Sequence, residues 1–252
     1  MRRPPRARAV RQWRGKSLVK TGGVLHDYMQ IRDLVVFGSN DELKNNLQTI
    51  ANRLESVAKR LYLRKGMGDA SRVYPRIARS TADQLELLSR LISEQIEITA
   101  NVCRTVFEIN VTFRFCLSLP ERLADFTTQR GTDEISIWKA IKKMPTEGDQ
   151  SAGLATLELR IEHLRATLER HGRLAKPARP SLREMAKAVD LESDYDCLYS
   201  LYSKYVHASA WFVLGERDHV DLPVIRQIMQ IQAQLYATDT LGRLEELAKA
   251  VL

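Results

Sequence analysis

The sequence predicts an all-α protein, a single bundle of about six to eight helices with a long central helix spanning about residues 81–118. Three observations predict it. Apolar residues recur at steps of three and four in several stretches, the spacing that lines one helix face. Serine–glutamate pairs three residues apart open two of the helical stretches, as capping boxes do. No stretch bounded by turn residues alternates apolar and polar with a period of two, as a half-buried strand must. The one short apolar run that suits a strand is Leu34-Val35-Val36-Phe37.

In chain order, the first stripe is Leu43, Leu47, Ile50, Leu54, Val57 and Leu61. Ser39 with Glu42 starts it and Gly66 is its expected stop. The central helix is amphipathic through Leu85, Leu88, Ile92 and Ile96. It then becomes apolar on nearly every face, with Val102, Cys103, Val106, Phe107, Ile109, Val111, Phe113, Phe115 and Leu117, before Pro120 ends it. A helix apolar all round is one surrounded by others. A further stripe, Leu154, Leu157, Ile161, Leu164 and Leu168, runs to Gly172, Pro177 and Pro180. Ser181 and Glu184 open the next helix, and residues 192–214 read as one aromatic-rich helix. Pro223 suits the first turn of the last helix, ahead of Val224, Ile228, Ile231 and Leu235. Loops are expected at 144–151 and 172–181, too short to divide the chain.

The net charge of +8 over 252 residues would suggest a nucleic-acid partner if it belonged to the folded part. It does not. Residues 1–20 hold eight Lys or Arg and no acid, which leaves 31 basic and 31 acidic residues in 21–252. Residues 1–22 are therefore expected to be a disordered basic arm, and 23–252 a single α-helical domain. The arm reads either as a solvated extension or as a segment that pairs with phosphates. Cys103, Cys116 and Cys197 form no C-x-x-C pair and are odd in number, the usage of a reducing compartment. No apolar stretch is long enough to span a bilayer, and no apolar segment follows the basic N-terminus as in a secretory signal. A cytoplasmic location without a membrane partner is the expectation.

Several chemistries lack their motif. No glycine loop has phosphate-cradling spacing, and there is no G-x-S-x-G elbow. Glu216 and His219 make the sole E-x-x-H spacing, without the second pair that a di-metal bundle needs, and His26-Asp27 stands alone. No metal or cofactor is expected. What survives is a set of polar residues inside the two most apolar helices. Arg104 and Glu108 are four apart, and Asn110 and Arg114 repeat that spacing rotated away from the first pair. Tyr199, Ser203 and His207 are spaced four and four, flanked by Lys204.

If the two helices face each other, Arg104, Glu108, Ser203 and His207 converge. His207 is then the proton-transfer residue, because imidazole is the side chain suited to that task near neutral pH. Arg104 binds an anion through its fork of N–H donors. Glu108, Ser203 and Tyr199 orient them, while Arg114, with Arg104, suits a nucleotide or small anion. The same residues also read as a buried network that fixes helix register, because an isolated charge in such surroundings must be paired. Tyr195, Tyr202 and Trp211 read as core aromatics rather than as a stacking platform for bases.

The strings Arg104-Thr-Val-Phe-Glu108-Ile-Asn110 and Tyr199-Ser-Leu-Tyr-Ser203-Lys-Tyr-Val-His207-Ala-Ser209 resemble those of an all-helical bacterial family of unknown function. That family is marked by an R-x-x-x-E helix and a later Y-x-x-x-S-x-x-x-H helix, and the likeness in layout covers about residues 40–235. It is in turn distantly similar to the HEPN bundles of toxin–antitoxin and abortive-infection systems. The resemblance implies a defence- or stress-related protein acting on RNA as a ribonuclease. The partners it implies are RNA or a nucleotide, a second copy in a homodimer, or an antitoxin-like protein. HEPN ribonucleases carry an R-x(4–6)-H motif. Here that spacing falls on Arg165 and His171, and the base nearest before His207 is Lys204. A degenerate, non-catalytic bundle is the other implication of the likeness.

Overall fold

The computed structural model describes residues 34–64, 68–144, 151–170 and 180–250. The basic arm, His26-Asp27, Gly66, His171, Gly172 and Pro177 lie outside the described residues. Among those described there is no strand, and the helices assemble as an all-α bundle.

Helix α1 (Asn40–Tyr62) begins as its sequence dictates. The Ser39 amide donates to Glu42 Oε2 at 2.7 Å and the Glu42 amide donates to Ser39 Oγ at 3.3 Å. The Ser39 amide and hydroxyl, both donating to the Glu42 carboxylate, hold it below its ordinary pKa. The whole predicted stripe from Leu43 to Leu61 is buried, packed chiefly on α2 (Ala70–Arg90). Ahead of α1, the run from Leu34 to Phe37 is not a strand: Leu34 is helical and Val35 to Phe37 are irregular backbone, in which the Gln234 side chain pairs Val36 instead. Gln234 Oε1 accepts from the Val36 amide at 2.9 Å and its Nε2 donates to the Val36 carbonyl at 3.4 Å. One buried amide thus satisfies both polar groups that a ladder partner would have taken.

The predicted helix 81–118 is two helices. Its first part starts early, at Ala70, with Pro75 tolerated inside α2; its second is α3 (Ile96–Ser118). Nothing in Leu91–Gln95 forbids a helix locally. The break is held by Arg226, whose Nη1 donates to the Glu94 carbonyl at 2.7 Å and lies 3.4 Å from both the Ile92 carbonyl and Thr99 Oγ1. Asp221 fixes the same guanidinium at 2.7 Å. A cation thereby takes two carbonyls of the linker between the helices.

Helix α3 is the central element, and its buried positions run right round it, from Ile96 and Val102 to Phe107, Val111 and Phe113. It touches α2, α4 (Pro120–Ile141), α6 (Leu182–Lys187), α8 (Ser200–Val206) and α11 (Pro223–Lys249). Between α4 and α6, α5 (Ser151–Arg170) packs on α4 around a small separate core of Ile135, Ile161 and Leu168. The two come close at Gly131, where a Cβ would meet Leu168 at 3.1 Å.

Helix α6 opens on the predicted Ser181–Glu184 capping box. The following 192–214 segment is not one helix. A short turn, α7 (Glu192–Asp194), runs into a π-helical turn (Tyr195–Tyr199) and then α8. At His207 the backbone turns extended (φ −105°, ψ 152°), and Ser209 caps a new short helix, α9 (Ala210–Leu214). After α10 (Arg217–Val220), Pro223 stands in the first turn of α11, as its fixed φ suits. No helix among the described residues is long and apolar enough to cross a membrane.

Candidate functional site

The edge of α3 that faces the π turn and α8 carries Arg104 and Glu108. Arg104 Nε donates to Glu108 Oε1 at 2.8 Å, which fixes the guanidinium plane. Its Nη1 lies 3.2 Å from His207 Nε2, and its Nη2 donates to the Tyr199 hydroxyl. The guanidinium carbon also sits 4.5 Å from the centre of the Tyr199 ring. Three nitrogens of one arginine therefore reach three of the predicted site residues. With Arg104 as donor, His207 Nε2 is the acceptor, so a neutral imidazole carries its proton on Nδ1.

Burial opposes the charge on Arg104, but the Glu108 carboxylate and the Tyr199 hydroxyl outweigh it and leave its pKa above the ordinary value. Burial and the nearby Glu108 carboxylate raise the Tyr199 phenol, which keeps its proton at neutral pH. The cluster is not sealed. Side-chain exposure is 17% for Arg104 and 38% for Glu108, and His207 is exposed. Two of the five guanidinium N–H groups remain for another acceptor.

Ser203 and Lys204 stand differently from the sequence expectation. The Ser203 hydroxyl donates back to the Tyr199 carbonyl at 2.8 Å, so it supports the π turn rather than joining the cluster. Lys204 is exposed beside His207 in sequence, and its carbonyl accepts from Ser209 Oγ at 2.9 Å. Because the helix ends at Val206, His207 reaches Arg104 from an extended residue and not along a helical stripe.

Asn110 and Arg114 face elsewhere, towards α11. Asn110 is fully buried, and its Nδ2 lies 2.8 Å from Asp239 Oδ2, 3.0 Å from Thr240 Oγ1 and 3.1 Å from the Tyr236 carbonyl. Arg114 Nη2 donates to the Val189 carbonyl at 2.9 Å. Burial lowers the Arg114 pKa, with Arg243 adding to it and Asp239, Asp190 and Asp194 opposing. Sequence reasoning passed over Asp239, Arg243 and Asp194. Asp239 and Arg243 pair at 2.9 Å four residues apart, a spacing visible in the sequence but indistinguishable there from a surface pair.

Of the aromatics, Tyr202 is fully buried, as expected of a core residue, whereas Trp211 is 43% exposed. Tyr195 is half-buried and stacks on Tyr199, ring centres 4.7 Å apart and planes 15° apart. A depression lined by Glu97, Phe212, Val213, Gly215 and Val220 contains none of the cluster residues. No group of three or more His, Cys, Asp or Glu among the described residues is arranged to hold a metal ion.

Fold and site together define an all-helical bundle with a surface arginine–carboxylate–tyrosine–histidine cluster at the meeting of two inner helices. Residues 70–220 match a family of unknown function (DUF5677), and the chain belongs to that family. The matched span holds every member of the cluster, while α1 and the whole of α11 lie beyond it. No curated protein and no solved structure matches the chain.

Proposed function

We propose that this chain is a defence- or stress-related, HEPN-like ribonuclease whose Arg104 cluster holds and cleaves a phosphodiester of RNA. The observation that carries the reading is the Arg104 guanidinium itself. It is clamped in plane by Glu108, has spare N–H donors, and lies within hydrogen-bond distance of an exposed imidazole. In this reading a phosphate takes the free donors of Arg104, and exposed Lys204 adds positive charge to its approach. As the ribose 2′-hydroxyl replaces Arg104 Nη1 at His207 Nε2, that nitrogen accepts the hydroxyl proton and the 2′-oxygen attacks phosphorus. The bond to the 5′-oxygen breaks and His207 returns the proton to that oxygen, leaving a 2′,3′-cyclic phosphate and a 5′-hydroxyl. Tyr199, protonated at neutral pH, offers its O–H to a phosphate oxygen.

The test is cleavage of a labelled oligoribonucleotide by purified wild type, His207→Ala and Arg104→Ala, with circular dichroism as the check on folding. Wild type should give cyclic-phosphate ends, and His207→Ala should lose about 100-fold or more in rate while keeping the helical spectrum. Equal cleavage by wild type and both variants would sink the reading.

A second reading has its own support. Glu108, Tyr199 and His207 already occupy one N–H of each Arg104 nitrogen, as they would in a non-enzymatic interaction module whose cluster fixes helix register. Under it, Arg104→Ala would weaken the fold without any lost activity to measure.

A further inference from the structure

We propose that Tyr195 is a nucleobase platform, so that the ligand of the Arg104 site is a single strand with one base on the Tyr195 ring and a neighbouring phosphate on Arg104. The inference rests on the reading of Arg104 as the phosphate-binding group. Its own support is the π turn. The widened turn sets Tyr195 and Tyr199, four residues apart, nearly parallel at 4.7 Å, while Tyr199 lies 4.5 Å from the Arg104 guanidinium carbon. Arginine, phenol and phenol thus follow one another at stacking distances, within the reach of a dinucleotide. Such π turns cost regular hydrogen bonding and recur where a side chain must be set for use.

Charge gives the ligand its direction. The Tyr195 end carries Glu192, Asp194 and Asp196, of which Asp194 is taken by the Tyr236 hydroxyl at 2.7 Å and Asp196 by Arg183 at 3.2 Å. A phosphate is repelled there and drawn to Arg104, whereas a neutral base on a phenol face meets no such penalty. Stacking on an aromatic ring tolerates every base, so the platform adds affinity without sequence choice. Tyr195 also packs against the main core, so the ring is held in place before any ligand arrives.

Two fluorescein-labelled probes separate the two contributions by anisotropy. One is a single-stranded deoxyoctanucleotide, which lacks the attacking hydroxyl; the other is the abasic octamer of the same length. The full chain should bind the base-containing strand about tenfold more tightly than the abasic one. Tyr195→Leu, which keeps apolar bulk for the core, should erase that preference and leave the abasic affinity unchanged. Tyr195→Trp should restore the preference, a rescue that a merely structural tyrosine would not need. A preference retained in a folded Tyr195→Leu overturns the platform. If instead Arg104→Ala leaves the affinity for both strands unaltered, the phosphate assignment fails, and with it the proposed ligand direction. Failure of the wild type to bind either strand overturns both.

Discussion

Two edges of the central helix carry the same motif spacing and opposite environments. Arg104 and Glu108, four apart, meet Tyr199 and His207 at a partly open surface. Asn110 and Arg114, also four apart, meet α11 and the turn after α6, where Asn110 has no exposure at all. Phe107 lies between them, its ring 6.4 Å from Tyr199 on one side and 5.0 Å from Tyr236 on the other. Identical spacing therefore says only that two side chains are neighbours on a helix. Whether they do chemistry or hold the fold is decided by what the opposite wall leaves uncovered. At the Arg104 edge the wall ends in an extended, exposed histidine; at the Asn110 edge it is a continuous helix.

Substitutions at the closed edge should break the contrast most sharply. Asn110→Asp sets a second carboxylate against Asp239 in a buried position, and we expect a loss of about 3–5 kcal/mol in urea-induced unfolding, or no folded protein. A loss below about 1 kcal/mol would mean that this edge is not closed in solution. Arg104→Ala, at the open edge, should cost about 1 kcal/mol, since its partners keep access to water. A cost as large as that of Asn110→Asp would transfer the Arg104 cluster to the structural class.

Smaller effects refine the boundary between the edges. The Tyr202 hydroxyl is fully buried and has no hydrogen-bond partner among the described residues, and burial drives its pKa well up. Tyr202→Phe should leave stability unchanged or raise it by up to about 1 kcal/mol, since no bond is lost and a desolvated hydroxyl is removed. Marked destabilisation in thermal unfolding would reveal a partner for that hydroxyl. The smallest change is expected for His207→Ala, within about 0.5 kcal/mol, because the ring is exposed and its backbone is already outside the helix.

The stripe from Leu43 to Leu61, both capping boxes, the all-round apolar character of α3 and the N-terminal place of Pro223 were readable from residues alone. So was the neighbourhood of Arg104 with Glu108. Each depends on contacts three or four residues apart, or on a residue's own backbone preference, which the local sequence carries in full. Helix α4 was harder to read, because its buried positions, Leu123, Thr128 and Ile135, are too widely spaced to make a stripe.

Tertiary structure decided the rest. The break at 91–95 depends on Arg226, more than 130 residues away, and the irregular 35–37 segment on Gln234. The meeting of Arg104 with His207 spans 103 residues and depends on α8 ending one residue before the imidazole. The burial of Asn110 depends on α11 lying over it. A sequence shows that a polar group needs a partner; only the folded chain determines whether that partner is a distant helix or is left to the solvent and whatever it brings.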